Sequence, residues 1–446
     1  MQLRKKIIHA TYLLLICSAV FSSCKKQNEW LDIKAVKSDV SPQTLSDFQA
    51  ILDNSILNNT SNVGLLGTDN FYFTDVNFNS LNQELRNLYT WNKEIWISET
   101  SANWGAGFKN IEYANIVLDG LLKIKQADPE YNSIKGTALF DRAFAYYNLA
   151  QLFCKPYSSS AAADLGLPLK LNADVNEVNQ RAPLKETYQQ MIDDLNIALT
   201  LLPENQGFIT RPGTPAVYAL LAKVYLQMED YQTALGFANK SLAIKSQLLD
   251  FNNTELASLA VTYRFPTYAK NIPEVLFYVE STQFADLSPQ ASSKAIVSPE
   301  LYNNYEANDL RKSLFYALSG SDAKYRGTYS GNIFNFSGLA VNEVLLIRAE
   351  CLARTGNLTA GDWIIWSNGM WFKDFPKKST MKEAPKKKPI NVDDDFDFDE
   401  DFTRTLKHYL QSMMPIKIDY TKFLGFDLDD YYISDIDIVL VPSLPG

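Results

Sequence analysis

The chain has 446 residues, 46% of them hydrophobic and 13% aromatic, which is enough for a large core in one big domain or two closely joined ones. A net charge of −9 and an isoelectric point near 5.0 argue against a nucleic-acid partner, which would require a basic face. With His9 and His408 as the only histidines, Ser-His-Asp and Cys-His catalysis and His-rich zinc sites have no basis, and no cofactor is expected.

Arg4, Lys5 and Lys6 precede an apolar run over residues 7–21 that is too short for a stable span, and Phe21-Ser22-Ser23-Cys24 has the form of a lipobox. Residues 1–23 therefore read as a lipoprotein signal and Cys24 as the lipidated N-terminus, although Phe21 stands where Leu is usual. Several acyl chains on Cys24 would anchor the protein stably, whereas one would not. Cys17 and His9 leave with the signal. Cys154 and Cys351 remain in apolar helical contexts as buried free thiols, with no spacing that argues for a disulfide.

Residues 24–44 form a polar linker, and Leu45, Phe48, Ile51 and Leu52 have the spacing of a short helix. Residues 54–78, rich in Asn, Gly and aromatics, suit an ordered loop. A helix over 104–125 follows, with Ile111, Ala114, Asn115, Leu118 and Leu122 on one face. Asn115 in that stripe needs a hydrogen-bond partner and reads as a structural clamp. Pro129 closes this segment. Further helices are expected over 132–153 and, after a crossing loop at 157–183, over 184–202, where Pro203 stops the helix.

Residues 214–244 carry the tetratricopeptide (TPR) pattern of a helix hairpin. Leu221, Ala222 and Tyr225 oppose Ala234 and Ala238 across a Glu229-Asp230 turn, and small residues at the crossing let the backbones approach. Such a unit needs stacked neighbours to bury its apolar face. Residues 248–337 change to short apolar runs among Asn, Ser, Tyr and Pro, with turns expected at 307–311 and 323–329, and a helix returns over 339–354. Arg142 and Arg348 lie within helices and suit buried ion pairs with carboxylates such as Asp194 or Glu350. The fold class is mainly α: TPR-like helix pairs over 45–247, and a mixed loop-rich region with a few short strands and a returning helix over 248–360.

Five segments in order resemble one known family. They are RAFAYYNLAQLF (142–153), GLPLKL (166–171), the RAPLKETY stretch running to Pro203 (181–203), the helix hairpin, and NEVLLIRAECLARTGN (342–357), all following the lipobox-like Cys24. Together they are similar to the SusD/RagB lipoproteins of Bacteroidota. The resemblance implies an outer-membrane lipoprotein facing the exterior that captures a glycan or peptide and sits on a SusC-like TonB-dependent transporter, handing the ligand over without chemistry. After Gly361 the family's usual motifs are missing. A lysine run at 386–388 and an acidic run at 393–401 stand there instead, so residues 361–446 read as out-of-frame or replaced sequence. A restored family motif in another reading frame is the observation that would support this hypothesis.

For the ligand platform, Tyr72, Phe73, Trp91 and Trp96 offer aromatic faces for stacking on a sugar ring, and Asn70, Asp75 and Asn77 offer hydrogen bonds to hydroxyls. Packing in the core of the first helix pair is the alternative for Trp91 and for Trp104. A second zone comprises Tyr302, Tyr305, Tyr325, Tyr329 and Phe334. Two competing classes stay open at this point: a glycoside hydrolase, which needs two carboxylates and no histidine, and a generic TPR interaction scaffold.

Overall fold

The structure is a computed structural model that describes residues 42–54, 59–61, 63–97, 102–125, 129–268, 270–281, 286, 292–327 and 329–356. The expectations at Cys24 and for residues 361–446 lie outside the described residues. Chain contacts divide at Asp47/Phe48. Of the first unit, residues 42–47 are described. There the Asp47 carboxylate accepts hydrogen bonds from the Gln43 and Thr44 amides at the start of helix α1, Leu45–Leu52, which places its pKa below the usual carboxylate range.

The second unit begins with short elements. Strand β1 (Asn59–Thr60), helix α2 (Val63–Leu66), strand β2 (Phe71–Tyr72) and the start of helix α3 (Asp75–Asn79) occupy residues 54–78, expected to be a loop, and helix α4 (Gln83–Tyr89) follows. The two short helices α3 and α4 start at Thr74 and Asn82, whose side chains accept from the amides of Asn77 and Leu85 and satisfy otherwise orphaned donors. Helices α5 (Ala102–Leu121) and α6 (Pro129–Phe153) then form the first long pair. Pro129 opens α6 rather than closing the segment before it, as its fixed φ and missing N–H suit a first helical position.

Strands β3 (Leu165–Pro168) and β4 (Arg181–Pro183) pair antiparallel within the expected crossing loop and lead into α7 (Leu184–Leu201). The TPR-like hairpin is α8 (Thr214–Gln227) and α9 (Tyr231–Ile244). Ala219, Ala222, Ala234 and Ala238 are fully buried, Ser241 Oγ donates to Pro215 O at 2.8 Å across the pair, and Asp230 caps α9 through the Thr233 amide. Glu229 adopts φ 61° in the turn, a left-handed conformation that only a sharp reversal demands.

The mixed region holds β5 (Val275–Phe277), β6 (Glu280–Ser281), β7 (Ile296–Val297), α10 (Pro299–Asn304), α11 (Leu310–Phe315), β8 (Tyr316–Ser319), β9 (Asp322–Tyr325) and β10 (Leu339–Ala340). The turn expected at 307–311 runs into helix α11, and the one expected at 323–329 begins as strand β9, paired with β8. Helix α12 (Val341–Arg354) ends at Gly356, whose φ of 85° suits a residue without Cβ.

The long helices form one series in which α5 packs on α6, α6 on α7, α7 on α8, α8 on α9, and α9 on α12. One continuous apolar core runs from Val63 to Cys351 and joins this series to the mixed region. Phe140 and Phe144 of α6 meet Phe277 of β5 edge-on, with ring centroids at 4.9 and 5.5 Å. Helix α6 is buried on nearly every side, which is why its apolar residues show no amphipathic stripe.

Two of the sequence expectations concern buried charge. Arg142 does pair with Asp194, and Asn115 is a clamp: its Nδ2 donates to Lys170 O and Asn172 O, both at 3.0 Å. Glu350 instead pairs with Arg354, one helical turn on, and Arg348 Nε has no partner among the described residues. Residues two apart on a helix point to different faces, so the expected Arg348–Glu350 pair does not form. Cys154 and Cys351 are free and buried, and burial raises both thiol pKa values, that of Cys351 to about 12.

Candidate functional site

The first aromatic zone is organised by α4 and the loop after it. Asn87, buried on α4, donates from Nδ2 to Glu94 O at 2.7 Å and to Ile95 O at 3.3 Å, while its own carbonyl accepts from the Asn92 amide. This clamp reverses the chain at Trp91, which adopts φ 54°. The Trp91 indole is 36% exposed and lies against Gly67, where a Cβ would come within 3.2 Å of Cζ2. A non-glycine residue in the left-handed region at a surface aromatic is the kind of backbone strain that points to function.

The other proposed platform residues have different surroundings. Phe73 is buried, its ring edge-on to Tyr89 at 5.0 Å. Trp96 is half-buried and packs on Phe153 at 5.7 Å, beside a Trp104–Phe153 contact of 5.0 Å. Tyr72 is half-buried on β2, opposite Ile296 of β7. Asn70 accepts from the Ser298 amide through its carbonyl, and Asn77 Nδ2 donates to Lys294 O at 3.2 Å. Asp75 is exposed in the first turn of α3.

The β2–β7 ladder brings the two expected zones together. Phe71 of β2 meets Tyr325 of β9 at 5.9 Å, so the loops before α5 and the mixed region share one surface. Within the second zone Tyr305 and Tyr329 are core residues, and Lys312 Nζ covers the Tyr302 ring at 4.9 Å from its centroid. Tyr325 and Phe334 are half-buried. Of all these aromatics, Trp91 has the most open face.

A separate cleft lies between α5 and α6, with Ser61 and Phe277 among its lining residues. Asn103 and Asn110 face it from α5, and Asp141 and Asn148 from α6. Burial lifts the Asp141 pKa well above the usual carboxylate range, and the negative charge of Asp53 pushes it the same way. The cleft was missed in the sequence, yet each polar pair is spaced by seven residues, which places both members on one helix face two turns apart. Asp141 is the one carboxyl among its described lining residues, whereas glycoside hydrolysis by paired carboxylates needs two. Among the described residues no group of three or more His, Cys, Asp or Glu side chains could hold a metal ion, and no helix is long and apolar enough to cross a membrane.

Stacked TPR-like helix pairs beside a loop-rich aromatic surface define the protein's class. Sequence comparison agrees: residues 29–226 match the SusD-like family described as starch-binding and associating with the outer membrane. Over that stretch, a little under half of the chain, the sequence is similar to this family. It is 31% identical over 135 residues to SusD-like protein P2 of Formosa agariphila, a match covering 30% of this chain and 25% of that protein, so it spans about a quarter of that relative's length. Among solved structures, a putative sugar binding protein from Bacteroides vulgatus superposes with a TM-score of 0.65 at 17% identity, covering 85% of this chain and 87% of that one. Surface glycan-binding protein A from Bacteroides fluxus gives 0.60 at 16% identity, covering 91% and 94%. A SusD superfamily protein from Bacteroides thetaiotaomicron gives 0.63 at 19%, covering 83% and 86%. At these identities the likeness is one of fold.

Proposed function

We propose that this chain is a lipid-anchored protein of the outer membrane that binds a glycan at its loop-rich face and passes it to a SusC-like TonB-dependent transporter. The observation that carries the reading is the match of residues 29–226 to a starch-binding, outer-membrane-associated family on a fold of that same kind. In this account Cys24 is the lipid attachment site and the helix series is the scaffold. Trp91 is the stacking surface, and Asp75 and the amide-rich loop supply hydrogen-bonding groups. Tyr72, Phe73 and Trp96 hold that surface in place. Catalysis plays no part in this mechanism, because binding and release alone move the ligand.

Affinity electrophoresis of the full chain in gels containing starch and other polysaccharides tests the proposal. Trp91→Ala is expected to weaken retardation about tenfold, the order of one lost aromatic stacking contact, with a modest fall in melting temperature because part of the ring packs on Gly67. Unchanged retardation of that variant would remove Trp91 from the site. Polysaccharide recovered intact is the expected companion result, and shortened products would point to a hydrolase.

A further inference from the structure

We propose that Arg264 and Arg326 form an anion-recognition site, so that the glycan this protein captures carries carboxylate or sulfate groups. The inference rests on the glycan-binding reading above and narrows its ligand class.

The two arginines come from segments pressed together by the fold. Gly331 has φ 64° and sits so close to the 264–267 segment that a Cβ would lie 2.4 Å from Pro266 C and Thr267 N. Phe265, next to Arg264, packs on Tyr329 at 5.4 Å and on Phe315 at 5.8 Å. Arg326 is tied to Phe315 as well, its amide donating to Phe315 O at 2.7 Å. The backbone at both arginines is therefore held by one aromatic cluster.

Among the described residues no carboxylate pairs with Arg264 or Arg326. Arg264 Nη1 donates to Leu259 O and Val261 O, both at 2.6 Å, which fixes the side chain and leaves its Nε without a partner. Arg326 Nε is likewise buried, and among the described residues no group accepts from it or from the rest of its guanidinium. Glu280 accepts through Oε1 from Tyr278 at 2.6 Å and Asn332 at 2.7 Å. Burial and the charge of Arg326 lower the Arg264 pKa, a cost that an arriving anion would relieve. Two adjacent guanidinium groups with spare donors suit planar, two-point recognition of a carboxylate or sulfate. Tyr268, 53% exposed on the same loop and 5.4 Å from Tyr278, gives a ring face on which the sugar can stack.

The test is titration of the full chain with oligogalacturonate, a sulfated carrageenan oligosaccharide and neutral malto-oligosaccharide, at low and high salt. Either anionic glycan should bind more tightly than the neutral one and lose affinity with salt, and the two anionic arms identify the group. Arg326→Gln should weaken anionic binding about tenfold, leave neutral binding unchanged and keep the melting temperature, while Arg326→Lys restores part of the loss. Arg264 is not the variant of choice, since its Nη1 also holds the loop. Neutral glycan bound as tightly as anionic, or anionic binding indifferent to Arg326→Gln, overturns this inference alone. No glycan bound, or preference for carboxylate-bearing peptides, overturns the glycan reading and this one with it.

Discussion

Replacing Arg142 by alanine is expected to destabilise the protein by about 3–5 kcal/mol, the usual cost of removing one partner from a buried ion pair. Arg142 grips Asp194 with two parallel bonds of 2.8 and 2.7 Å, and its Nη1 donates to Asn115 Oδ1 at 2.8 Å. Tyr146 adds a bond to Lys170 O at 2.9 Å, and Gln190 donates to Asp194 at 3.0 Å. This polar layer ties α5, α6 and α7 to the 169–172 loop, and Asn115, Arg142, Tyr146 and Asp194 are all buried in the core. Burial holds the Asp194 pKa above its ordinary value even with Arg142 beside it, so an Asp194 left alone is poorly tolerated. Urea denaturation measures the loss. The double variant Arg142→Met, Asp194→Leu should recover much of it, because neither charge is then stranded. A loss below about 1 kcal/mol for Arg142→Ala would show that the layer is not under the constraint described.

Glu274 makes the second prediction, on pH. It is fully buried, accepts from the Leu249 amide at 2.8 Å through Oε2, and its Oε1 has no partner among the described residues. Burial raises its pKa from 4.5 to about 7, against the smaller favourable effects of the Leu249 and Tyr329 hydrogen bonds. The folded state therefore holds a proton that the unfolded state has released between these two values. Stability from this group is greatest below pH 4.5, falls as pH rises to about 7, and is flat above that. At about 1.4 kcal/mol per unit the fall amounts to about 3 kcal/mol. Glu274→Gln keeps an acceptor for Leu249 and removes the titration. Asp141, Asp194 and Glu350 are also raised by burial and slope the same way, so the difference between wild type and variant isolates Glu274. Denaturation at pH 5, 6 and 8 should show the variant losing less stability across the range, and identical slopes would contradict the account.

The helical scaffold was legible in the sequence because its signals are local and repeated. Alanines at the α8–α9 crossing, the Asp230 cap and the apolar stripe of α7 each span whole turns. The role of Asn115 and the Arg142–Asp194 pair followed from polar residues placed where only a partner could justify them. Elements of two residues carry no such period: β1 and β2 exist because they pair with β6 and β7, more than 200 positions away. That pairing, invisible in the sequence, joins the two aromatic zones. Asn87 and the seven-residue polar spacings of the α5–α6 cleft were readable in principle, since each breaks an apolar helix face. What could not be read was exposure: Trp91, Trp96 and Phe73 look alike as residues in a loop, and only the clamp at Asn87 turns Trp91 outward.

Isothermal titration of the full chain with oligosaccharides, in parallel for wild type and Trp91→Ala, tests the central claim most directly. Saturable binding of at least one glycan, weakened about tenfold by Trp91→Ala and leaving the sugar chain intact, is the predicted result. Absence of binding to any glycan, or cleavage of the one that binds, would contradict it.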